Sequence, residues 1–301
     1  VSTPTSINEI IHQAKEKLSP DLLIIILGPT ASGKTKLAIE LARQTDGEII
    51  SADSRQVYRN MDIGTGKDLE EYRGIPYHLI NIKNPGDKYN VDLFRQDFFK
   101  AYDHIINVQK QPILCGGSGS YIQSVLQYRP YAQIPKDSRL QKELSLLSEK
   151  ELLTQIHTIG IPPDLQIDFQ NHKRLVRALE ILLYLQHHPQ APQPPRIVKN
   201  YRIFGICPPL EKRRASITQR LHTRLRQGLL DEVKFLIDNG TAQEDLIYYG
   251  LEYKYATWYL QGLLTYTEFM EKLNTEIHRY AKRQMTYFRK MEKDGIKIQW
   301  L

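Results

Sequence analysis

Residues 22–35 read Leu22-Leu-Ile-Ile-Ile-Leu-Gly28-Pro29-Thr30-Ala31-Ser32-Gly33-Lys34-Thr35, and this stretch decides the fold. A buried apolar strand enters a G-x-x-x-x-G-K-[ST] loop, and Lys36-Leu-Ala-Ile-Glu-Leu-Ala42 leaves it as a helix. Gly28 and Gly33 let the backbone curl so that several N–H groups point at one anion. The following helix presents its positive end to the same anion. Lys34 adds a full charge, and Thr35 is placed to hold Mg²⁺. The loop therefore reads as a cradle for a di- or triphosphate. A chance Gly-rich turn does not account for the strand before it and the helix after it.

Outward from this loop, strand-like runs fall at 22–27, 48–51, 78–82, 112–115 and 202–207, with helical patterns between most of them. That order predicts an α/β fold, a P-loop NTPase-like parallel sheet covered by helices on both faces. Residues 91–108 carry a helix period in Leu93, Phe94, Phe98, Ala101, Ile105 and Val108. From 128 to about 170 the character changes. A break at 128–131 precedes polar helices over 137–155, and a second break follows at 160–164. The expected organisation is a first core segment at 1–127, a small helical insertion at 128–170, and the rest of the core with basic C-terminal helices at 171–301. Residues 171–185 read as an amphipathic helix carrying Lys173, Arg174 and Arg177, and 187–195 holds four prolines in an extended linker. Residues 210–238 form one long helical pattern with a break near Gly228. A second, 267–293, carries an apolar stripe at Met270, Leu273, Ile277, Ala281, Met285 and Phe288.

The chain has 301 residues, 41% hydrophobic and 25% charged, an ordinary soluble composition. No apolar run approaches the ~18 residues that span a bilayer, and residues 1–6 do not read as a secretory signal. Cys115 and Cys207 sit in apolar runs, so reduced thiols and a cytoplasmic location are expected. Net charge is +7, from 41 basic and 34 acidic residues. The excess is clustered: Lys212, Arg213, Arg214, Arg220, Arg224 and Arg226 in one stretch, Lys272, Arg279, Lys282, Arg283, Arg289 and Lys290 in another. Clustered cations favour a nucleic-acid partner over a merely solvated helix face.

The second strand ends in Ile49-Ile-Ser-Ala-Asp53-Ser54-Arg55-Gln56-Val-Tyr58. An acid at the C-terminal end of a strand lies at the ligand edge of an open parallel sheet. Asp53 can there hold Mg²⁺ or accept a proton from an acceptor substrate, against a plain turn cap. Arg55 and Gln56 follow at the same rim, where base contacts are plausible. Gly64-Thr-Gly-Lys67 is a second flexible loop with a cation, and Cys115-Gly-Gly-Ser118-Gly-Ser-Tyr121 allows close backbone approach to a ligand. An ATPase would place an Asp at that fourth strand end, and none stands there.

The ordered set Gly28–Thr35, residues 51–58, residues 61–67, Gly116-Gly-Ser118-Gly-Ser-Tyr121, Arg174-Leu-Val-Arg177-Ala-Leu-Glu180 and Tyr280-Ala-Lys282-Arg283-Gln-Met-Thr-Tyr-Phe-Arg289 closely resembles the tRNA dimethylallyltransferases, or tRNA isopentenyltransferases. The similarity runs from about Leu22 to Arg289. It implies transfer of the dimethylallyl group of dimethylallyl diphosphate to N6 of adenosine 37 beside the anticodon, with release of diphosphate and Mg²⁺ assisting. The loop Gly28, Pro29, Thr30, Ala31, Ser32, Gly33, Lys34 and Thr35 would then hold a diphosphate leaving group, not ATP, with Lys67 and the hydroxyl of Ser118 adding contacts. Asp53 would be the general base. Thr30, Lys34 and Arg220 would stabilise the departing diphosphate, and Thr35 would contact it or its metal. Asp53, Ser54, Arg55 and Gln56 would receive the flipped adenine. Lys173, Arg174 and Arg177, with Lys282 and Arg283 of the 280–289 helix, would face tRNA. A monomer with no membrane association is expected.

Elementary chemistry agrees with these implied roles. The exocyclic amine of a purine is a poor nucleophile, so proton removal helps it attack. An allylic carbon bears partial positive charge if the diphosphate is well stabilised. The base must leave its stack to reach the site. The chain departs from the family pattern in places. It has Gly-Thr-Gly66-Lys-Asp68 for Gly-Thr-Ala-Lys-Pro, Tyr249-Gly-Leu-Glu-Tyr253 for Ile-Gly-Tyr-Lys-Glu, and Ser216 for an Arg. Three rival readings are an adenylate isopentenyltransferase acting on a free nucleotide, a P-loop small-molecule kinase, and a tRNA-binding protein without catalysis.

Overall fold

The computed structural model describes residues 21–127, 131, 134–163, 165, 167–188 and 195–301. The readings for residues 1–6, most of the break at 128–131 and most of the proline stretch fall outside the described residues. Two compact units are present: Val1–Leu126 with Val198–Leu301, and Gln127–Ile197.

The first unit is built on six parallel strands in the order β3-β2-β4-β1-β5-β6. They are β1 (Leu23–Leu27), β2 (Gly47–Ala52), β3 (Tyr77–His78), β4 (Gln111–Gly116), β5 (Tyr201–Gly205) and β6 (Gln299–Trp300). Every residue of β1 is fully buried, which explains its unbroken apolar run. Its side chains alternate between two cores. Leu23, Ile25 and Leu27 join α2 (Val91–Asn107) and the C-terminal helices, whereas Ile24 and Ile26 meet Leu37, Ala38 and Leu41 of α1 (Lys34–Thr45). Helices thus cover both faces, and the fold is the expected α/β, P-loop-like one. Asn90 caps α2 by accepting the N–H groups of Asp92 and Leu93, and α3 (Gly119–Leu126) follows β4.

The strand expected over 78–82 stops at His78. Leu79 and Asn81 take left-handed φ values of 63° and 58°, incompatible with a ladder. The segment bonds instead to the chain after β2, with the N–H groups of Asn81 and Ile82 donating to Gln56 and Val57 carbonyls. The long pattern over 210–238 divides into α7 (Leu210–Arg226) and α8 (Leu229–Asp238) at Gly228, whose φ is 97°. Two further helices, α9 (Gln243–Tyr249) and α10 (Leu251–Leu260), precede α11 (Tyr266–Lys293). Thr265 and Glu268 form a capping box that starts α11, and its buried face carries Leu273, Ile277, Ala281, Met285 and Phe288.

The second unit holds α4 (Ser138–Leu144), α5 (Glu149–Ile159) and α6 (His172–His187). The boundary read at residue 170 differs from this division. Leu175, Val176, Leu179 and Leu182 of α6 pack with Leu144, Leu152 and Ile156, so α6 belongs with the insertion and the unit runs to Ile197. Among the described residues, no helix is long and apolar enough to cross a membrane.

Candidate active site

The C-terminal ends of four strands meet along one edge. Leu27 lies in register with Gly116 and Gly205, and Ala52 with Gly116. Loops leaving this edge, with α7, α9, α10 and α11, line a cavity of about 350 Å³.

The phosphate loop is shaped for an anion. Gly33 caps α1 at a φ of 87°, no side chain caps the helix, and its first turn has no acid. The first N–H groups of α1 therefore lack intrahelical partners and carry the positive end of the dipole. Gly28 serves packing: a Cβ there would lie 2.6 Å from Ser32 Oγ and 2.8 Å from the Ile206 carbonyl. Ser32 Oγ is buried beneath Gly28 with no hydrogen-bond partner among the described residues. Lys34 Nζ donates to the Pro29 carbonyl at 3.4 Å. Burial lowers the pKa of Lys34 below the ordinary lysine value, and the charges of Arg220 and Arg224 push it the same way while Asp53 opposes them.

Arg220 reaches the cavity from α7. Its Nη2 donates to the Gly66 carbonyl at 3.2 Å and to Asp68 Oδ2 at 2.9 Å. Burial, then the neighbouring charge of Arg224, brings its pKa down to about 10. Cations that disfavour one another in one cavity create a field suited to a polyanion.

Asp53 leaves the end of β2. Its Oδ1 accepts the Arg55 N–H at 2.8 Å, an Asx turn that fixes the carboxylate. No other hydrogen bond to Asp53 is present among the described residues, and the side chain lines the cavity. One oxygen is thus held and the other is open to a proton or a metal. Beside it, Ser54 N–H donates to Ser118 Oγ at 3.3 Å. The Arg55 guanidinium sits 5.1 Å from the ring of exposed Tyr248. Arg283 also lines the cavity, with exposed Lys282 next to it on α11.

Thr30, Lys34, Thr35, Asp53, Ser54, Arg55, Gln56, Arg220 and Arg283 therefore come together around one space. Two expected contacts are engaged within the protein. Gln56 faces the cavity, but its amide accepts from Ser51 Oγ at 2.8 Å and donates to the Gly66 carbonyl at 3.2 Å. Lys67 is fully buried, and its ammonium is held by the Tyr58 carbonyl at 2.5 Å, Asp62 Oδ1 at 2.6 Å and Asn81 Oδ1 at 2.5 Å. Three acceptors satisfy its three donors, so Lys67 anchors the 62–67 loop with no donor left over for a ligand. Lys67→Met should cost ~2–3 kcal/mol in urea unfolding, given that Asp62 is half-exposed. Unaltered stability with a weakened donor KM would restore the ligand role.

In the second unit, Arg177 pairs with Glu180 at 2.5 Å and donates to the Ile134 and Pro135 carbonyls, so its guanidinium holds α6 to the chain before α4. Arg174 pairs with Asp168, and Lys173 is exposed. Of the three basic residues of α6 expected to face tRNA, Lys173 alone has no ion pair among the described residues.

Three functional side chains escape sequence reading. Gln284, inside the quoted 280–289 motif, accepts the Thr30 N–H at 2.8 Å and donates to the Gly117 carbonyl at 3.0 Å. It joins the phosphate loop to the loop after β4. Gln284→Ala leaves both groups unpaired and should cost ~1–3 kcal/mol with weaker diphosphate binding. Melts matching wild type would remove that role. Glu232 accepts the N–H groups of Asp62 and Ile63 at 2.7 Å and of Gly64 at 2.9 Å, and Tyr253 donates to it at 2.7 Å. Its position in the first turn of α8 reads as ordinary helix chemistry, so no local pattern marks it. Arg224, the third, lies 93% buried beside Arg220.

The IPP transferase family profile matches residues 56–291. The chain is 49% identical over 284 residues to tRNA dimethylallyltransferase 2 of Phocaeicola vulgatus, covering 93% of this chain and 92% of that protein. It is 46% identical over 281 residues to tRNA dimethylallyltransferase 1 of Geotalea uraniireducens, with the same two coverages. Among solved structures it resembles the tRNA isopentenylpyrophosphate transferase of Bacillus halodurans, with a TM-score of 0.68, 33% identity and coverage of 93% of this chain and 89% of that one. The fold also matches a eukaryotic dimethylallyltransferase captured acting on tRNA, with a TM-score of 0.71 at 23% identity, covering 92% of this chain and 73% of that one.

Proposed function

The chain belongs to the IPP transferase family, and from that membership we propose that it moves the dimethylallyl group of dimethylallyl diphosphate onto N6 of adenosine 37 of tRNA in the cytoplasm. The observation that carries this reading is the placement of Asp53 in one cavity with Lys34 and Arg220. This reaction needs a base and a polyanion site in one cavity, and the shared lining supports that reading.

The adenine enters beside Asp53, whose open carboxylate oxygen accepts a proton from the N6 amine. As N6 bonds to the allylic carbon, the bond from that carbon to the diphosphate oxygen breaks, and its electron pair leaves with the diphosphate. Lys34, Arg220 and the N–H groups at the start of α1 stabilise that developing charge. Arg55 with exposed Tyr248, and Arg283 with Lys282, supply cationic and aromatic surface at the mouth for the extruded nucleotide.

The residues present fit Mg²⁺ held largely by substrate. Thr35 lies in the first turn of α1 and lines the cavity with Asp53, while no cluster of three metal-binding side chains occurs among the described residues. Such a set suits an ion that takes most of its oxygens from diphosphate and water. When bound, Mg²⁺ supplies further charge stabilisation to the diphosphate, with Thr35 as its hydroxyl ligand.

Incubation with labelled dimethylallyl diphosphate, Mg²⁺, unmodified tRNA and free AMP tests this reading. Label is expected in tRNA, and none when EDTA replaces Mg²⁺. Label in AMP alone would assign the chain to nucleotide prenylation.

A further inference from the structure

Arg224 is placed unlike any other cation of the cavity. It is 7% exposed and lines the same space as Lys34 and Arg220. One end of its guanidinium is held from behind: Nη1 donates to Glu252 Oε1 at 2.9 Å and to the Gly64 carbonyl at 3.2 Å. Its Nε is enclosed without a hydrogen-bond partner, and Nη2, which is not enclosed, makes no hydrogen bond among the described residues. A charged donor without an acceptor is costly, and an acceptor supplied by a ligand removes the cost.

The 62–67 loop is cut to admit this second guanidinium. Gly66 has a φ of 61°, and a Cβ there would lie 1.8 Å from Arg224 Nη2 and 2.2 Å from Arg220 Nη2. Both arginines thus cross the same glycine, side by side. Glu252 pairs with one and Asp68 with the other, each at 2.9 Å.

We propose that Arg224 is a second guanidinium of the leaving-group site, which donates from Nη2 to the diphosphate of the prenyl donor while Nη1 stays on Gly64 and Glu252. The assignment rests on the reaction proposed above. Arg220 and Arg224 then clasp the leaving group from the α7 side, opposite the N–H groups of the phosphate loop. A guanidinium suits this task better than an ammonium because one edge stays anchored while another donates.

The test is calorimetric titration of inorganic diphosphate with Mg²⁺ into the wild type, Arg224→Met, Arg224→Lys and Glu252→Gln. Arg224→Met should weaken diphosphate ~10–100-fold, as loss of a charge-assisted bond implies. Arg224→Lys should recover part of that loss. Glu252→Gln removes a negative charge behind the guanidinium and should tighten diphosphate. If Arg224 only props Gly64 and Glu252, then Glu252→Gln weakens binding as Arg224→Met does. That result, or an Arg224→Met affinity within ~2-fold of wild type, overturns the assignment. Label transfer by the wild type on the same preparation separates the two readings. If it fails, the reaction is wrong, while the titration still decides whether Arg224 binds diphosphate.

Discussion

Asp53→Ala is expected to lower kcat ~10²–10⁴-fold while inorganic diphosphate binds as in the wild type. The carboxylate stands at the end of β2 with one oxygen fixed by the Arg55 N–H and no other partner among the described residues. Its loss removes the acceptor for the N6 proton but leaves Lys34, Arg220 and the phosphate loop in place. Asp53→Asn sharpens the point, because the amide oxygen can keep the Arg55 bond and the turn. Both variants should therefore fail alike. A Mg²⁺-ligand role predicts otherwise: diphosphate with Mg²⁺ would bind more weakly in both. Undiminished turnover would remove Asp53 from the chemistry altogether.

Arg220→Ala should lower kcat ~10²–10³-fold, the scale of losing one preorganised donor at a site of developing charge. Two of its contacts, Gly66 and Asp68, belong to the loop that frames the cavity, so the variant also frees Asp68 to repel the diphosphate. Donor KM should rise with the fall in kcat. The Kd for tRNA should stay near its wild-type value. An effect confined to tRNA affinity would contradict the leaving-group role and make Arg220 part of the nucleic-acid surface.

The parts of this site that could be read in advance share one property: their chemistry is written in adjacent residues. The strand-loop-helix of 22–45, the acid ending β2 and the glycines after β4 each carry a local pattern tied to sheet geometry. Lys67 shows the limit of that reading. Its Gly-Thr-Gly-Lys setting looks like a phosphate loop, yet folding surrounds the ammonium with acceptors from Tyr58, Asp62 and Asn81. Arg177 is engaged in the same way, by Glu180 and two carbonyls. Glu232, Gln284 and Arg224 act across 160 to 254 residues of chain, so no spacing reports them. The helices α9 and α10 bring Tyr248 and Glu252 to the cavity, and they offer only short helical patterns broken at Gly250.

In the proposed reaction the phosphate loop serves the departure of diphosphate from a prenyl donor, with adenosine 37 as acceptor. The most direct test is mass spectrometry of nuclease digests of unmodified tRNA after incubation with enzyme, dimethylallyl diphosphate and Mg²⁺. N6-dimethylallyladenosine is expected at position 37, formed with stoichiometric diphosphate and absent with Asp53→Ala. Unmodified tRNA alongside phosphate transfer from ATP to a small molecule would contradict it.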